Sequence, residues 1–272
     1  LRDSADKPQP TVNELRDSVD KIILSLHIPK TAGSTLDNIL DTQFTLQEKL
    51  NYYSGDYNKF VNNLNSVIKD NPNLKCINGH FRFGIHEQIQ KPFSYITILR
   101  HPIDRVISTY YYIRRVPAHY LYEIVKNMSL EDFVTSKDVA ISYSVYNMQT
   151  TFVSGEDPPN LEKAKKNLEQ FFDIVGITEM FDQSLFLMMK TFGWNISDYA
   201  PVNVTKNRPP LKEHSEEVID LITQQNQLDM RLYEFGKHLF NKKVKNLDNQ
   251  SQIEMNKFLY GKLIIEPTSQ ND

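Results

Sequence analysis

Residues 21–38 read KIILSLHIPKTAGSTLDN, and this stretch decides the fold. The apolar run from Ile22 to Leu26 is rich in β-branched residues and predicts a buried strand. Pro29 ends it, because proline has no N–H for a sheet ladder. Lys30, Thr31, Ala32, Gly33, Ser34 and Thr35 follow, and Leu36, Ile39 and Leu40 then keep helical spacing. Small residues between a strand and a helix let backbone N–H groups close around an anion at the positive helix end. Lys30 brings a mobile cation to the same place. The bland alternative is an ordinary strand-to-helix turn with a solvated lysine. The order also departs from the nucleoside-triphosphate P-loop, which needs Gly-Lys-Ser/Thr; here Lys30 precedes Gly33.

Working outward, a second strong strand signal, FSYITIL at 93–99, ends at Arg100, His101 and Pro102. Pro102 suits the first turn of a helix, whose pattern runs through Val106, Ile107, Tyr110 and Tyr111. A shorter strand starts at Cys76 and ends in Asn78, Gly79 and His80, and residues 173–178 (DIVGIT) predict a third buried strand. Helices are predicted within 41–73 (Phe60, Leu64, Val67), at 141–153, 160–172, 181–192, 214–225, 227–243 and 251–262. Ser129 with Asp132 predicts a capping box. Residues 195–213 read as a loop holding Pro201, Pro209 and Pro210.

Strands alternating with helices imply a parallel α/β sheet with helices on both faces. In such sheets ligands sit beyond the carboxyl ends of the strands. Three motifs fall there: residues 30–35, 79–83 and 100–108. Arg100 leaves its strand as a planar fork suited to phosphate, and Ser108 lies about two helical turns further on. Two separate anion sites suit a ligand phosphorylated at two ends.

The chain has 272 residues, enough for one large domain, and 31 basic against 34 acidic residues leave a net charge of −3. No global positive field draws in a polyanion, so an acidic ligand needs a local basic cluster, and nucleic acid is not an expected partner. No apolar run reaches the roughly 20 residues of a membrane helix. No Asp/Glu/His cluster shows metal-ligand spacing, so no metal is expected. The run Tyr110, Tyr111 and Tyr112 reads as core packing plus one pocket wall.

HIPKTAGST and, further on, ITILRHPIDRVISTYYYIR resemble the nucleotide-binding segments of sulfotransferases that use 3′-phosphoadenosine 5′-phosphosulfate (PAPS). With Gly79-His80 between them and FFDIVGITEMFD downstream, the chain resembles the carbohydrate sulfotransferases similar to heparan sulfate 2-O-sulfotransferase. The resemblance covers about residues 21–243 and is strongest to about 115. It implies a three-layer α/β sulfotransferase fold, a central parallel sheet flanked by helices with a P-loop-like phosphosulfate loop.

On that resemblance, the amides of residues 30–35 hold the 5′-phosphate and Lys30 contacts the bridging oxygen, while Arg100 and Ser108 bind the 3′-phosphate. PAP is the product. His80 matches the position of the base, with an imidazole near its unperturbed pKa of about 6.5 suiting proton removal from the acceptor hydroxyl. His86 is the runner-up, and His27 and His101 orient the two turns. Arg82, Arg114, Arg115, Lys206 and Arg208 are candidates for an acidic sugar acceptor, with His86 beside them; each charge alone reads more often as a solvated surface group.

The expected function is therefore sulfuryl transfer to a carbohydrate hydroxyl. The alternatives are a small non-carbohydrate acceptor, a non-catalytic PAPS/PAP-binding module, or a kinase of small substrates. Residues 1–20 read as a polar tail or stem, 21–245 as the sulfotransferase domain and 246–272 as a C-terminal helix and tail. The single cysteine, Cys76, excludes an internal disulfide, whereas paired cysteines are expected of the animal 2-O-sulfotransferases. That favours a microbial, cytoplasmic protein, the alternative being a Golgi-lumen catalytic domain with a trimmed anchor.

Overall fold

The computed structural model describes residues 21–196, 199–200 and 209–265, the last four of these in backbone only. β1 (Ile22–Leu26) leads to α1 (Gly33–Gln43), β2 (Lys49–Tyr52), α2 (Tyr57–Asp70) and β3 (Cys76–Gly79). A 3₁₀ turn (Ile85–Gln88) precedes β4 (Phe93–Leu99), followed by α3 (Pro102–Arg115), α4 (Tyr122–Val125), α5 (Leu130–Thr135), α6 (Val139–Val145), α7 (Met148–Ser154) and α8 (Leu161–Phe171). Then come β5 (Phe172–Ile177), a 3₁₀ turn (Thr178–Met180), α9 (Phe181–Phe192), α10 (Glu216–Gln225), α11 (Gln227–Lys245) and α12 (Asn249–Ile265).

The five strands are parallel, in the order β2-β3-β1-β4-β5. Every residue of β1, β3 and β4 is buried, which explains their mostly apolar sequences without an inside-outside alternation: strands covered on both faces have no solvent-facing side to show. Burying each Ile, Leu or Phe there contributes about 1.5–3 kcal/mol. Two glycines show how the covering works. A Cβ on Gly236 of α11 would meet Leu99 Cδ1 at 2.5 Å, with Val175 also close. A Cβ on Gly176 would meet Ser184 of α9 at 3.0 Å and Ile98 at 3.2 Å. Val175 and Gly176 point to opposite faces, as do Leu99 and Ile98, so α11 and α9 cover opposite sides of the β4–β5 half.

A second apolar cluster is purely helical. Val106, Ile107 and Ile113 of α3 pack with Phe133, Val134, Ile141, Val145 and Ile222. Arg105 is fully buried at its border and donates from Nη1 to Ser144 O and from Nη2 to Val145 O, both at 2.9 Å. It thereby satisfies carbonyls at the end of α6 that an α-helix leaves unpaired.

Two expectations need correction. β2 was not anticipated within 41–73; it is a four-residue, half-exposed edge strand, KLNY, too short and polar for a periodic signal. The helix expected at 141–153 is two helices, broken at Asn147, whose φ is +43°. Asn147 N–H donates to Asn226 Oδ1 (3.0 Å), while Asn147 Oδ1 accepts from the Leu228 and Asp229 amides (3.0 and 3.2 Å). The break is the clamp that joins the starts of α7 and α11. The capping box at Ser129 and Asp132 forms as predicted, and Pro102 occupies the first turn of α3.

Candidate active site

Register places the motifs. Leu26 pairs with Gly79 on one side and with Thr97 on the other, so the segments after β1, β3 and β4 leave the same edge of the sheet. They line one cavity of about 870 Å³, with Lys30, Ala32, Gly33, Ser34, Thr35, His80, Arg100 and Ser108 all in its wall.

The loop after β1 turns by using two left-handed residues that are not glycine, Lys30 (φ +70°) and Ala32 (φ +65°). Between them the buried Thr31 donates from Oγ1 to Ile28 O at 2.8 Å, which anchors the turn. Gly33, by contrast, needs no special φ. It is glycine because the His27 ring occupies its side: a Cβ there would lie 1.9 Å from His27 Nε2. His27 thus sets the loop from beneath. Ala32 caps α1 without a side-chain hydrogen bond; its carbonyl takes the Thr35 and Leu36 amides at 3.1 and 3.2 Å, so Gly33 and Ser34 supply the first-turn amides that can meet a ligand.

The loop after β4 is joined to this one. Arg100 Nη1 donates to Lys30 O at 3.0 Å. The buried Gln149 grips the Arg100 backbone at both ends, accepting from its N–H and donating to its carbonyl, each at 2.9 Å. Gln149 is held in turn by its own amide to Asp229 Oδ2 at 3.0 Å. Ser108 is buried against the cavity wall. One turn beyond it, the ring of Tyr112 carries Lys30 Nζ 3.8 Å from its centroid. Burial, with the charges of Arg100 and then Arg115, lowers the Lys30 amine to about 8.

His80 follows Gly79, where a Cβ would lie 1.8 Å from Tyr52 O; close approach to β2 is what requires glycine here. The His80 amide donates to Tyr52 O at 2.7 Å. Its ring lies 4.7 Å from that of His27 and 5.0 Å from that of Tyr53, both edge-on. Burial lowers the imidazole to about 4, opposed by a hydrogen bond to the Tyr53 backbone. The expected value near 6.5 is thus corrected: packing among His27 and Tyr53 disfavours the imidazolium. His27 falls to about 3, through burial and then the charges of His80 and Lys30.

Several expected acceptor-binding residues lie elsewhere. His86 is buried behind the sheet edge, its Nδ1 3.1 Å from Tyr95 Oη and its ring among Phe83, Phe93 and Phe171; it is a core residue. Arg82 pairs with Asp157 at 3.1 Å. Arg114 donates to Tyr110 Oη at 2.7 Å and lies over that ring. Neither they nor Arg115 line the cavity. Lys206 and Arg208 lie outside the described residues. His101 contributes its amide to Glu179 Oε1 (3.0 Å) and its ring to Tyr233, so Glu179 holds that turn with it. Asp37, Tyr53, Asp104 and Thr178 also line the cavity and were missed. Only Asp37 carried a signal, four residues after Gly33 on the same helical face. Among the described residues no three His, Cys, Asp or Glu side chains group for a metal.

Residues 5–257 match the sequence model of the galactose-3-O-sulfotransferase family. The chain belongs to that family. Among sulfotransferases of known identity it is similar to mouse galactosylceramide sulfotransferase, 26% identical over 83% of this chain and 57% of the relative. It is also similar to zebrafish heparan-sulfate 6-O-sulfotransferase 3-B, 25% identical over 81% of this chain and 64% of the relative. The chain therefore spans about three-fifths of the length of these two relatives. A mouse sulfotransferase solved with PAP aligns over 93% of this chain and 86% of its own, at 15% identity and a TM-score of 0.38. These family ties correct the microbial, cytoplasmic expectation: the matched relatives are animal proteins, and the Golgi-lumen alternative fits them better. Cys76 is fully buried in β3, and a core of this size needs no disulfide, so a cysteine count reports nothing about compartment here.

Proposed function

We propose that this sulfotransferase moves a sulfuryl group from PAPS to a hydroxyl of a carbohydrate acceptor, with residues 21–245 as its catalytic domain between a polar tail and a C-terminal helix. One observation carries the reading: Lys30, His80, Arg100 and Ser108, spread over 79 positions from 30 to 108, line a single cavity at the carboxyl edge of the sheet. The cradle suits a nucleotide with two anionic ends. The Gly33 and Ser34 amides at the start of α1 stand in the cavity wall, with the Arg100 fork, one arm of which donates to Lys30 O, and the Ser108 hydroxyl.

PAPS bound there supplies the sulfuryl group and a phosphate leaving group. In this reading the α1 amides and Lys30 hold the 5′ end, and Lys30 offsets the charge that grows on the leaving oxygen. Arg100 and Ser108 take the 3′-phosphate. His80 is neutral at physiological pH, its hydrogen bond to the Tyr53 backbone fixing the ring, so that its free nitrogen accepts the proton of the attacking hydroxyl. Anionic charge entering the cavity raises both His80 and Lys30 toward their ordinary values.

The test pairs PAP calorimetry with transfer of radiolabelled sulfate from PAPS to a galactoside. His80→Ala is expected to bind PAP within about twofold of the parent while losing about 10²–10⁴ in rate. Lys30→Ala is expected to lose both. Unchanged transfer by either variant at saturating acceptor contradicts the mechanism.

A further inference from the structure

Three rings meet at the end of β3. His27 and Tyr53 lie edge-on to His80 at 4.7 and 5.0 Å, and edge-on to each other at 5.6 Å. The His80 ring N–H donates to the Tyr53 backbone. A neutral imidazole carries one donor and one acceptor nitrogen, so the nitrogen that bonds Tyr53 decides which one is left to take a proton.

Tyr53 stands where the backbone offers it little support. It follows Tyr52, the last residue of β2, which is the edge strand paired with β3, and residues 53–55 form a bend. The side chain is 37% exposed, so packing alone is a weak hold. Its hydroxyl supplies the hold. Asn78 Nδ2 donates to Tyr53 Oη at 2.6 Å and to Asp37 Oδ1 at 2.8 Å, and the Tyr53 hydroxyl bonds the Asp37 carboxylate. Asp37 Oδ1 also accepts from Lys49 Nζ at 2.6 Å, and Lys49 is tied to Asp41 of the same helix at 2.5 Å. Asp37 lies one turn after Gly33. The helix that begins with the Gly33 and Ser34 amides therefore also holds the bend against which His80 rests.

We propose that Asp37 and Tyr53 are positioning residues for the base: through the Tyr53 hydroxyl, α1 pins the bend after β2, and that bend selects the His80 tautomer that removes the acceptor's proton. This rests on the reading of His80 as base given above. Neither residue touches the acceptor in this role. In-line transfer needs the base beside a hydroxyl already aligned with the sulfur, and a displacement of about 1 Å can cost about 10² in rate. Fastening the base to the helix that starts the donor cradle keeps the two in one frame, although the neighbouring strand lies at the sheet edge.

The experiment reads tautomer and rate separately. Long-range proton–nitrogen NMR spectra of histidine-labelled protein with PAP, at neutral pH, report which nitrogen of each imidazole carries the proton; the signals lost in His80→Ala assign His80. The parent is expected to show one neutral tautomer there. Tyr53→Phe keeps the ring against both imidazoles but removes the bond to Asp37, and is expected to show a mixture of the two. Its kcat for sulfate transfer to a galactoside is expected to fall about three- to tenfold, with acceptor KM and PAP affinity within about twofold of the parent. Asp37→Ala, with Lys49 still held by Asp41, is expected to do the same. The double variant is expected to lose no more than the larger single loss, because both substitutions break one bond. An unchanged His80 tautomer in both variants, losses that multiply in the double variant, or a loss carried by the acceptor KM overturns the inference. A parent that binds PAP but transfers no sulfate overturns instead the reading of His80 as base, and the spectra still decide whether Tyr53 sets its ring.

Discussion

His27 and His80 carry the clearest consequence at the scale of single residues. Both imidazoles are lowered on folding, to about 3 and about 4, chiefly by burial. Between those values and the unfolded value of about 6.5 the unfolded chain binds more protons. Stability is therefore expected to be full above pH 6.5 and to fall as the pH drops toward 4, which urea midpoints across that range would show. PAP is expected to shift the onset of this loss toward lower pH, because it binds only the folded form. Tyr112 makes a second prediction. Its ring face holds the Lys30 ammonium, an attraction of about 0.5–1 kcal/mol or more. Tyr112→Phe should leave the pH dependence of Lys30 amine labelling in place, and Tyr112→Leu should move it down by roughly half a unit. A shift of the same size in both variants would separate Lys30 from the ring.

The elements that build the site are fixed by contacts a sequence pattern does not display. Gly79 belongs to a run, CINGH, that reads simply as a strand end with a flexible residue. In the fold it is the point where β3 passes the carbonyl of Tyr52 at a distance no side chain allows. Gly193 ends α9 with φ +69° and has no atom within 4 Å of a Cβ. Gly193→Ala is expected to cost about 1–2 kcal/mol, the left-handed strain alone, whereas Gly79→Ala adds a backbone collision and is expected to cost about 3 kcal/mol or more. Denaturant melts of the two variants check the contrast. Gly33 is a third case, legible as a loop glycine but required by the ring of His27 rather than by its own backbone angle.

At the scale of the whole molecule, the nucleotide cradle is braced through the helical layer. Arg100 is gripped by Gln149, Gln149 by Asp229, and the Asp229 amide by Asn147. PAP at about 100 times its Kd is expected to stabilise the parent by about 2.7 kcal/mol, seen as a rise in melting temperature. Gln149→Leu removes both bonds to the Arg100 backbone and is expected to lose about 1–3 kcal/mol of stability and to shrink that rise, with Lys30 and Ser108 untouched. Much of this protein was legible beforehand. Mostly apolar, β-branched runs such as Ile22–Leu26 and Phe93–Leu99, alternating with helical patterns, determined a parallel α/β sheet with helices on both faces. Residues 30–35, His80, Arg100 and Ser108 were placed by the rule that such sheets bind ligands at their carboxyl edge. Tertiary structure alone decided that His86 is core, that burial lowers the His80 imidazole, and that Asp37 and Tyr53 line the cavity. Spacing along a chain reports which residues share a strand or a helix face. Burial, and the neighbours met across the order β2-β3-β1-β4-β5, depend on segments far apart in sequence, and no local pattern carries them.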